Sequence, residues 1–407
     1  MPPVAAVHSG GMARRLRVAL LIESSREYGR GLLRGIAEYA RTHGGWSIHH
    51  HERSLPDAPP PWLRGWRGDG IIVRAESPAV VRLVRRLKLP AVDLRALHPI
   101  PGVPAMNTDD AQVSRLAADH LRDRGFRNFG YCGFAGANYS DVRRQAFADH
   151  LAGKGLTVWI YADRKPTGHP STTAIEARGL TDERSIARWV RSLPKPVGIM
   201  ACNDVRARQV LNACRDQSVA VPEQVAVIGV DNDPTICELS DPPLSSIEPD
   251  TRRIGYEAAR VLENMIHGRA APVSTTVPPL GVVERQSTDV AAIDDAYVAA
   301  AVHFIRRHAH EPMDVADVVQ RVGVSRRSLE RRFAAALGRP PHEEILRVRL
   351  DRVRQLLRET RYPLAEVARL AGFRHAEYMS AMFRNNTGET PGAYRRKVQR
   401  SLAEPHR

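Results

Sequence analysis

From Val18 to about Thr288, short apolar runs alternate with amphipathic segments, and this alternation limits the fold more than any other feature of the chain. VALLI precedes RGLLRGIAEYAR, GIIV precedes SPAVVRLVRRL, and PAVDL follows; later NFGYCGF precedes SDVRRQAFADHL, VGIMACND precedes VRARQVLNACRD, and VAVIGVDND precedes TRRIGYEAARVLENMI. Repeated strand-helix units predict parallel sheets flanked by helices on both faces, and their number predicts two lobes. Ligands of such sheets bind outside the carboxyl ends of the strands. The Pro-rich SLPDAPPPW reads as a surface loop. From Asp294 onward the strand signal stops and every segment reads as helix. The expected organisation is a disordered leader over residues 1–15, an α/β ligand-sensing domain over 16–290 and an all-α domain over 291–400.

Composition removes several classes of function. A chain of 407 residues with 43% hydrophobic residues can bury more than one core. No apolar run approaches the roughly 18 residues that a membrane-spanning helix needs. The start, MPPVAAVHSGGMARRLRVALLIESS, lacks the apolar stretch and small-residue cleavage site of a signal peptide. A soluble cytoplasmic protein without a membrane partner is therefore expected. Cys132, Cys202, Cys214 and Cys237 have no Cys-x-x-Cys spacing, which argues against zinc fingers and disulfide frameworks. His49, His50 and His51 are consecutive, so on a strand they alternate between faces and cannot chelate one metal together. No nucleophile elbow, Walker loop or dinucleotide fingerprint occurs, so the expectation is a non-enzyme with neither metal nor cofactor.

Charge is unevenly placed. From Arg321 to Arg407 basic residues exceed acidic ones by 11, which leaves only +4 of the chain's +15 for the first 320 residues. A basic end on a near-neutral body is the electrostatic footprint of phosphate binding.

The basic end contains VADVVQRVGVSRRSLERRF, Val315 to Phe333. Val315, Val318, Val319 and Val322 fall at i, i+3, i+4, i+7 and form one apolar stripe of a short helix that Asp314 can cap. Gly323 permits a turn, and Ser325 can cap a second helix with Leu329, Phe333 and Ala336 inward. Two short helices joined by a Gly-containing turn, the second bearing outward Arg, are the pattern of a helix-turn-helix. A second copy follows about 50 residues later, where Leu364, Val367, Ala368 and Ala371 repeat the stripe, Gly372 the turn, and Met379 and Phe383 the inward positions. The two motifs span about 314–337 and 363–387. The connecting PHEEILRVRLDRVRQLLRET reads as one helix, long enough to hold two reading helices in successive major grooves.

Residues 297–396 resemble the AraC/XylS family of transcription regulators, with AGF followed by YMSAMFRNNTGETPGAYRR close to the family's ending and Arg384 in place of the usual Lys. The first 290 residues resemble sensors of the periplasmic-binding-protein and lactose-repressor type. NTDDAQVSRLAADHLRDRGFRNFGYCGF, ACNDVRARQVL, VAVIGVDND and LSSIEPD occur in that family's order. This order of domains is similar to that of the xylose-responsive regulators. The resemblance implies a ligand-responsive regulator of sugar uptake or catabolism genes, of pentose type, that binds double-stranded promoter DNA as a homodimer, with RNA polymerase as a further candidate partner. It places Arg326, Arg327, Ser328, Glu330 and Arg331 on the first reading helix. Arg is the commonest reader of guanine O6 and N7. His375, Ala376, Glu377, Ser380 and Ala381 take the corresponding surface of the second helix, where Ala376 and Ala381 offer only apolar contact. Arg395 and Arg396 stand either against phosphate or in solvent.

In the sensor, Arg143, Asn203, Asp204 and Asp231 lie near strand ends and supply the donors and acceptors that sugar hydroxyls require. Asp204 and Asp231 have a second reading as helix caps. Arg95 follows PAVDL where sugar binders often carry a carboxylate, and Pro249 stands where Gln is common. A charged or phosphorylated sugar suits Arg95 better than a neutral pentose. Two other functions remain open at this point: a sugar-binding or sugar-processing protein with an accessory nucleic-acid module, and a ligand-independent architectural DNA binder.

Overall fold

The computed structural model describes residues 14–54, 59–95, 97, 99–161, 172–179, 182–289, 293 and 295–403. Nearly all of the expected leader, residues 55–58 of the Pro-rich loop and 290–292 at the expected boundary lie outside these. Two compact units are present: one runs to Gln217 and resumes over Ala226–Asp289, and the other combines Ser218–Val225 with the chain from Val290.

The first unit holds two six-stranded sheets. The chain builds β1 (Leu16–Leu21), α1 (Glu27–His43), β2 (Trp46–His50), β3 (Gly70–Val73), α2 (Pro78–Leu87), β4 (Ala91–Asp93) and β5 (Ala105–Thr108) in the first lobe. It then crosses to the second lobe through α3 (Asp110–Asp123), β6 (Asn128–Cys132), α4 (Asn138–Ala152) and β7 (Val158–Ile160). That lobe continues with α5 (Thr172–Gly179), α6 (Glu183–Ser192), β8 (Val197–Ala201), α7 (Asp204–Asp216), β9 (Val225–Val230), α8 (Pro234–Leu239) and β10 (Ser245–Glu248). The chain returns through α9 (Thr251–Ile266) to β11 (Ser274–Val277) and ends with β12 (Gly281–Val283). Strand order is β11, β5, β4, β3, β1, β2 in one sheet and β12, β10, β9, β8, β6, β7 in the other.

Both faces of these sheets are covered, and the strand sequences explain how. Along β1, Val18 and Leu20 join one core with Ile72 and Val92, while Ala19 and Leu21 join another with Ile71 and Val73. A strand buried on both sides needs a continuous apolar run, as VALLI and GIIV supply. The sheets are parallel as expected except at one edge, where β12 pairs antiparallel with β10. Edge strands tolerate such reversal since only one neighbour fixes their direction.

In the second unit the helices are α10 (Ala296–His308), α11 (Val315–Val322), α12 (Arg326–Leu337), α13 (Pro341–Glu359), α14 (Leu364–Leu370), α15 (Ala376–Thr387) and α16 (Pro391–Ala403). Asp314 and Asp317 form a reciprocal capping box at α11, and Ser325 caps α12 by accepting from the Ser328 N–H. Each helix-turn-helix has its own core. Val318, Leu329 and Phe333 pack with α10 in the first, and Val367, Met379 and Phe383 pack together in the second. Ala336 is exposed rather than inward; Leu337, one position on, leans on the core instead.

α13 contributes to both cores, Ile345 and Val348 to the first and Leu350, Val353, Leu356 and Leu357 to the second. Arg349 strengthens this spine by donating to the carbonyls of Ala309, Glu311 and Met313, which tie down the end of α10 and the chain leading to α11. Gly323 and Gly372 turn the two motifs with φ of 74° and 78°. A Cβ at Gly323 would meet nothing within 4 Å, whereas at Gly372 it would lie 2.0 Å from the Ala309 carbonyl oxygen. Gly323→Ala should therefore cost about 1–2 kcal/mol, the left-handed penalty alone, and Gly372→Ala distinctly more. Denaturant unfolding of the full chain, followed by helical circular dichroism, checks this order.

Candidate functional site

The strand ends of the first unit converge on a cleft between the lobes that is lined with buried charge. Arg143, on α4, is 4% exposed; its Nε donates to Asp110 Oδ1 at 2.7 Å and its guanidinium to the Cys202 carbonyl at 2.5 Å. Burial opposes that charge, but Asp110 and then Asp231 outweigh it and hold Arg143 protonated. Asn203 caps α7 by accepting from the Arg206 N–H, and its Nδ2 donates to the Tyr139 hydroxyl at 3.1 Å. Tyr139 in turn donates to Glu176 Oε1 at 2.7 Å. Asp231 directly follows β9 with φ of 109°, and the next residue, Asn232, has φ of 49°. Its carboxylate has no hydrogen bond among the described residues. Burial pushes that carboxyl up to about 6, against the pull of Arg143, Arg26 and Arg74.

The opposite wall belongs to the first lobe. Arg74 pairs with Glu23 directly after β1 and β3, and its guanidinium lies 4.9 Å from the Tyr28 ring centroid. Although burial opposes it, Glu23 and Glu76 keep Arg74 charged. Arg95 sits 3.2 Å from Glu76 and 5.2 Å over the Tyr139 ring of the other lobe. Arg26 crosses the cleft to Glu176 at 2.6 Å, and Arg30 to Asp233 at 3.4 Å. Buried polar atoms without a hydrogen bond gather here: Glu23 Oε2, Arg74 Nε, both oxygens of Glu76, and Nε and Nη2 of Arg95. Buried polar groups are rarely left so, and here several meet only in ion pairs without hydrogen-bond geometry, as Arg95 Nε does with Glu76 Oε1.

Two sequence readings are corrected by this geometry. Asp204 does not face the cleft: Oδ1 accepts from the Ser246 hydroxyl at 2.6 Å, and Oδ2 from the Asp233 N–H at 2.8 Å and the Cys237 thiol at 3.5 Å. Both oxygens are spent holding the turn after β9 against β10. Arg95 does not present a bare positive charge to an anion, because Glu76 faces its guanidinium. The sequence reading also missed Glu23, Arg74 and Glu76, which directly follow LRVALL and GIIV and were open to the strand-end rule. Tyr139 and Glu176 come from helices, and nothing in the local sequence marks them. Arg206, with no exposure, fastens α5 by donating to the Gly179 carbonyl at 3.1 Å, so Glu176 is held over the cleft.

At the other functional surface, α12 presents Arg327 and Arg331 fully outward, and neither has an intramolecular partner among the described residues. Arg326 pairs with Glu330 at 3.0 Å, and Ser328 and Glu330 are half-buried. On α15, His375, Glu377 and Ala381 are exposed, Ser380 is half-buried, and Ala376 leans on the second core. Arg396 is exposed, but Arg395 is drawn into the fold, donating to the Tyr362 carbonyl at 2.7 Å. Tyr378, 56% exposed on the first turn of α15, extends this surface and was not anticipated.

Residues 118–288 match the family model of a periplasmic binding protein-like domain, and residues 318–397 that of a helix-turn-helix domain. Over 393 residues the chain is 30% identical to the xylose operon regulatory protein of Escherichia coli K12, covering 94% of this chain and 97% of that one. The chain belongs to the family of the xylose operon regulatory proteins. The family's member from Haemophilus influenzae is 28% identical, covering 93% and 98% of the two chains. The solved structure of the xylose-binding transcription activator xylR matches with a TM-score of 0.81 at 28% identity, covering 94% of this chain and 98% of that one. As a member of this family the chain is a sequence-specific DNA-binding transcription regulator, with an α/β sensor of the periplasmic-binding-protein type ahead of an AraC-type helical module. Among the described residues no helix is long and apolar enough to cross a membrane.

Because Asp204 satisfies the Ser246 hydroxyl and the Asp233 N–H, Asp204→Ala should destabilise the ligand-free protein by about 2–4 kcal/mol. Thermal unfolding without any sugar measures this. Unchanged stability with lost ligand affinity would return Asp204 to the cleft.

Proposed function

We propose that this regulator binds a neutral pentose between its lobes and reads operator DNA with α12 and α15, acting as a cytoplasmic homodimer that activates sugar catabolism genes, in contact with RNA polymerase. The buried cleft atoms without hydrogen bonds carry the first half of this reading. Vicinal hydroxyls both donate and accept, so a sugar can satisfy Glu23 and Glu76 as well as Arg74 and Arg95. Charge favours a neutral ligand over a phosphate, since the guanidinium groups of the cleft already face carboxylates: Arg74 with Glu23, Arg95 with Glu76, Arg26 with Glu176 and Arg143 with Asp110. An added phosphate dianion would meet these carboxylates in a poorly screened space. The relatives are named for xylose, and xylose is the pentose this reading favours. The non-enzymatic reading follows the relatives, which are transcription regulators. The buried cysteines Cys132, Cys202, Cys214 and Cys237, none in a disulfide among the described residues, suit a reducing compartment.

For DNA, the supporting observation is the pair of unpartnered outward guanidinium groups on α12, joined to α15 through one continuous helix. α13 has 19 residues, about 28 Å at the usual rise, which suits two reading helices about one DNA turn apart. We assign base contacts to Arg327 and Arg331, with Ser328 and Glu330 beside them, and give α15 a positioning part through His375, Glu377 and Ser380. Arg396 is assigned to phosphate.

Arg327→Ala and Arg331→Ala should each weaken cognate binding by about 1–3 kcal/mol and relax base preference, whereas Arg396→Ala should weaken all sequences alike. Binding to cognate and scrambled duplexes at fixed salt separates these outcomes. Equal loss on both duplexes for all three variants would mean that the base-facing side is misassigned.

The cleft makes a pH-dependent prediction. Above about pH 6 the Asp231 carboxylate is ionised and accepts hydroxyl hydrogens; below it, protonation removes that acceptor. Xylose affinity measured by calorimetry should therefore fall on acidification from about pH 7.5 to about 5, and Asp231→Asn should bind weakly with a flat profile. A pentose affinity that is independent of pH in the wild type would exclude Asp231 from direct contact.

A further inference from the structure

Segment Ser218–Val225 lies in sequence between α7 and β9, both sensor elements, yet it is compact with the DNA-binding helices. Within it Glu223 has no exposure, and neither of its carboxylate oxygens makes a hydrogen bond. Arg306 Nε lies 3.3 Å from Oε1 and His303 Nδ1 3.7 Å from Oε2, both on α10. A buried carboxylate is tolerable only beside such a partner. The seam is otherwise loosely filled: an open cavity of about 570 Å³ runs along it, lined by residues including Ser218, Gln224, Tyr297, His303 and Arg307. Glu223 is therefore the tight point at which this segment grips α10.

What flanks the segment gives that grip a direction. α7 begins at the cleft, where Asn203 caps it and donates to Tyr139, and its 13 residues carry it about 20 Å to Gln217. β9 runs from Val225 to Val230 and delivers Asp231, the next residue, back to the cleft. Both chain ends of the segment are thus rigid, core-packed elements that terminate at effector groups. On the other side, α10 is tied to the first reading helix. Asp295 caps α10 and pairs with Arg332 of α12 at 2.6 Å, and the Arg332 guanidinium lies 4.7 Å from the Tyr297 ring centroid. Arg332 therefore faces α10 and is distinct from the outward Arg327 and Arg331.

We propose that the Glu223–Arg306 ion pair, with His303 beside it, transmits effector occupancy of the cleft to α10 and, through Asp295 and Arg332, sets the position of α12. Glu223 and Arg306 are positioning residues that touch neither sugar nor DNA. The inference rests on the proposed sugar-responsive reading, and the test separates the two.

The experiment uses the full chain, D-xylose as probe and a cognate operator duplex. In the wild type, xylose changes operator affinity by a factor in the usual allosteric range of about 5–150. Glu223→Gln keeps the side chain's shape and removes its charge. It should leave xylose affinity within about threefold of wild type while bringing the xylose-dependent factor to within about twofold of one. Arg306→Lys, which preserves the pair, should retain most of the factor. A wild-type factor in Glu223→Gln, or loss of its xylose binding, overturns the proposal.

Amide hydrogen exchange without sugar supplies the independent readout. Glu223→Gln should speed exchange in Ser218–Val225 and α10 together and leave the Asn203 end of α7 unchanged. Should xylose fail to alter wild-type DNA binding, the sugar reading falls, and unaltered exchange in α10 would overturn the grip itself.

Discussion

Burying a charge is among the most expensive things a fold can do, and the sensor buries several where its strands end. The arrangement survives because each guanidinium is met by a carboxylate: Arg143 by Asp110, Arg74 by Glu23, Arg95 by Glu76 and Arg26 by Glu176. Removing one member leaves the other uncompensated, so the set behaves as a unit. The pairing ties α4 to Asp110 through Arg143 and α5 to Arg26 through Glu176. The atoms it leaves without hydrogen bonds are the ones proposed to meet the sugar.

The helical unit solves a different problem with a shared element. Two small cores, each too slight to stand far apart from support, are joined by α13, which is apolar toward the first over Ile345 and Val348 and toward the second from Leu350 to Leu357. Spacing between reading helices is then set by helix rise rather than by a flexible linker. Gly372 matters here because the second motif's turn passes against the Ala309 carbonyl, and only a residue without Cβ fits that approach.

Much of this was legible from sequence where periodicity or strand ends carried the signal. The valine stripe of α11, its repeat in α14, and the alternation of VALLI and GIIV with amphipathic segments are local patterns, and local patterns survive into the fold. Asn203 and Asp231 come near each other because both follow strand ends, whereas Arg143 reaches them from α4. Asp204 was misread because it adjoins Asn203: one residue further along the turn, its side chain points to β10 instead of the ligand space. Tyr139 and Glu176 were invisible because their place depends on how two lobes close, which no window of sequence encodes. The antiparallel β12 was equally hidden, since three residues carry no directional signal. Arg95 taken alone suits an anion, but Glu76 beside it, 19 positions earlier in sequence, answers its charge.

Occupancy of the cleft is proposed to alter sequence-specific DNA binding through the helical unit. Footprinting of the full chain on its own upstream region, with and without D-xylose at one fixed salt concentration, tests it most directly. Protection is expected over two successive major grooves per subunit, with the protein concentration needed for protection changed by sugar. Protection that is identical with and without xylose and with other pentoses, or equal on unrelated DNA, would contradict it.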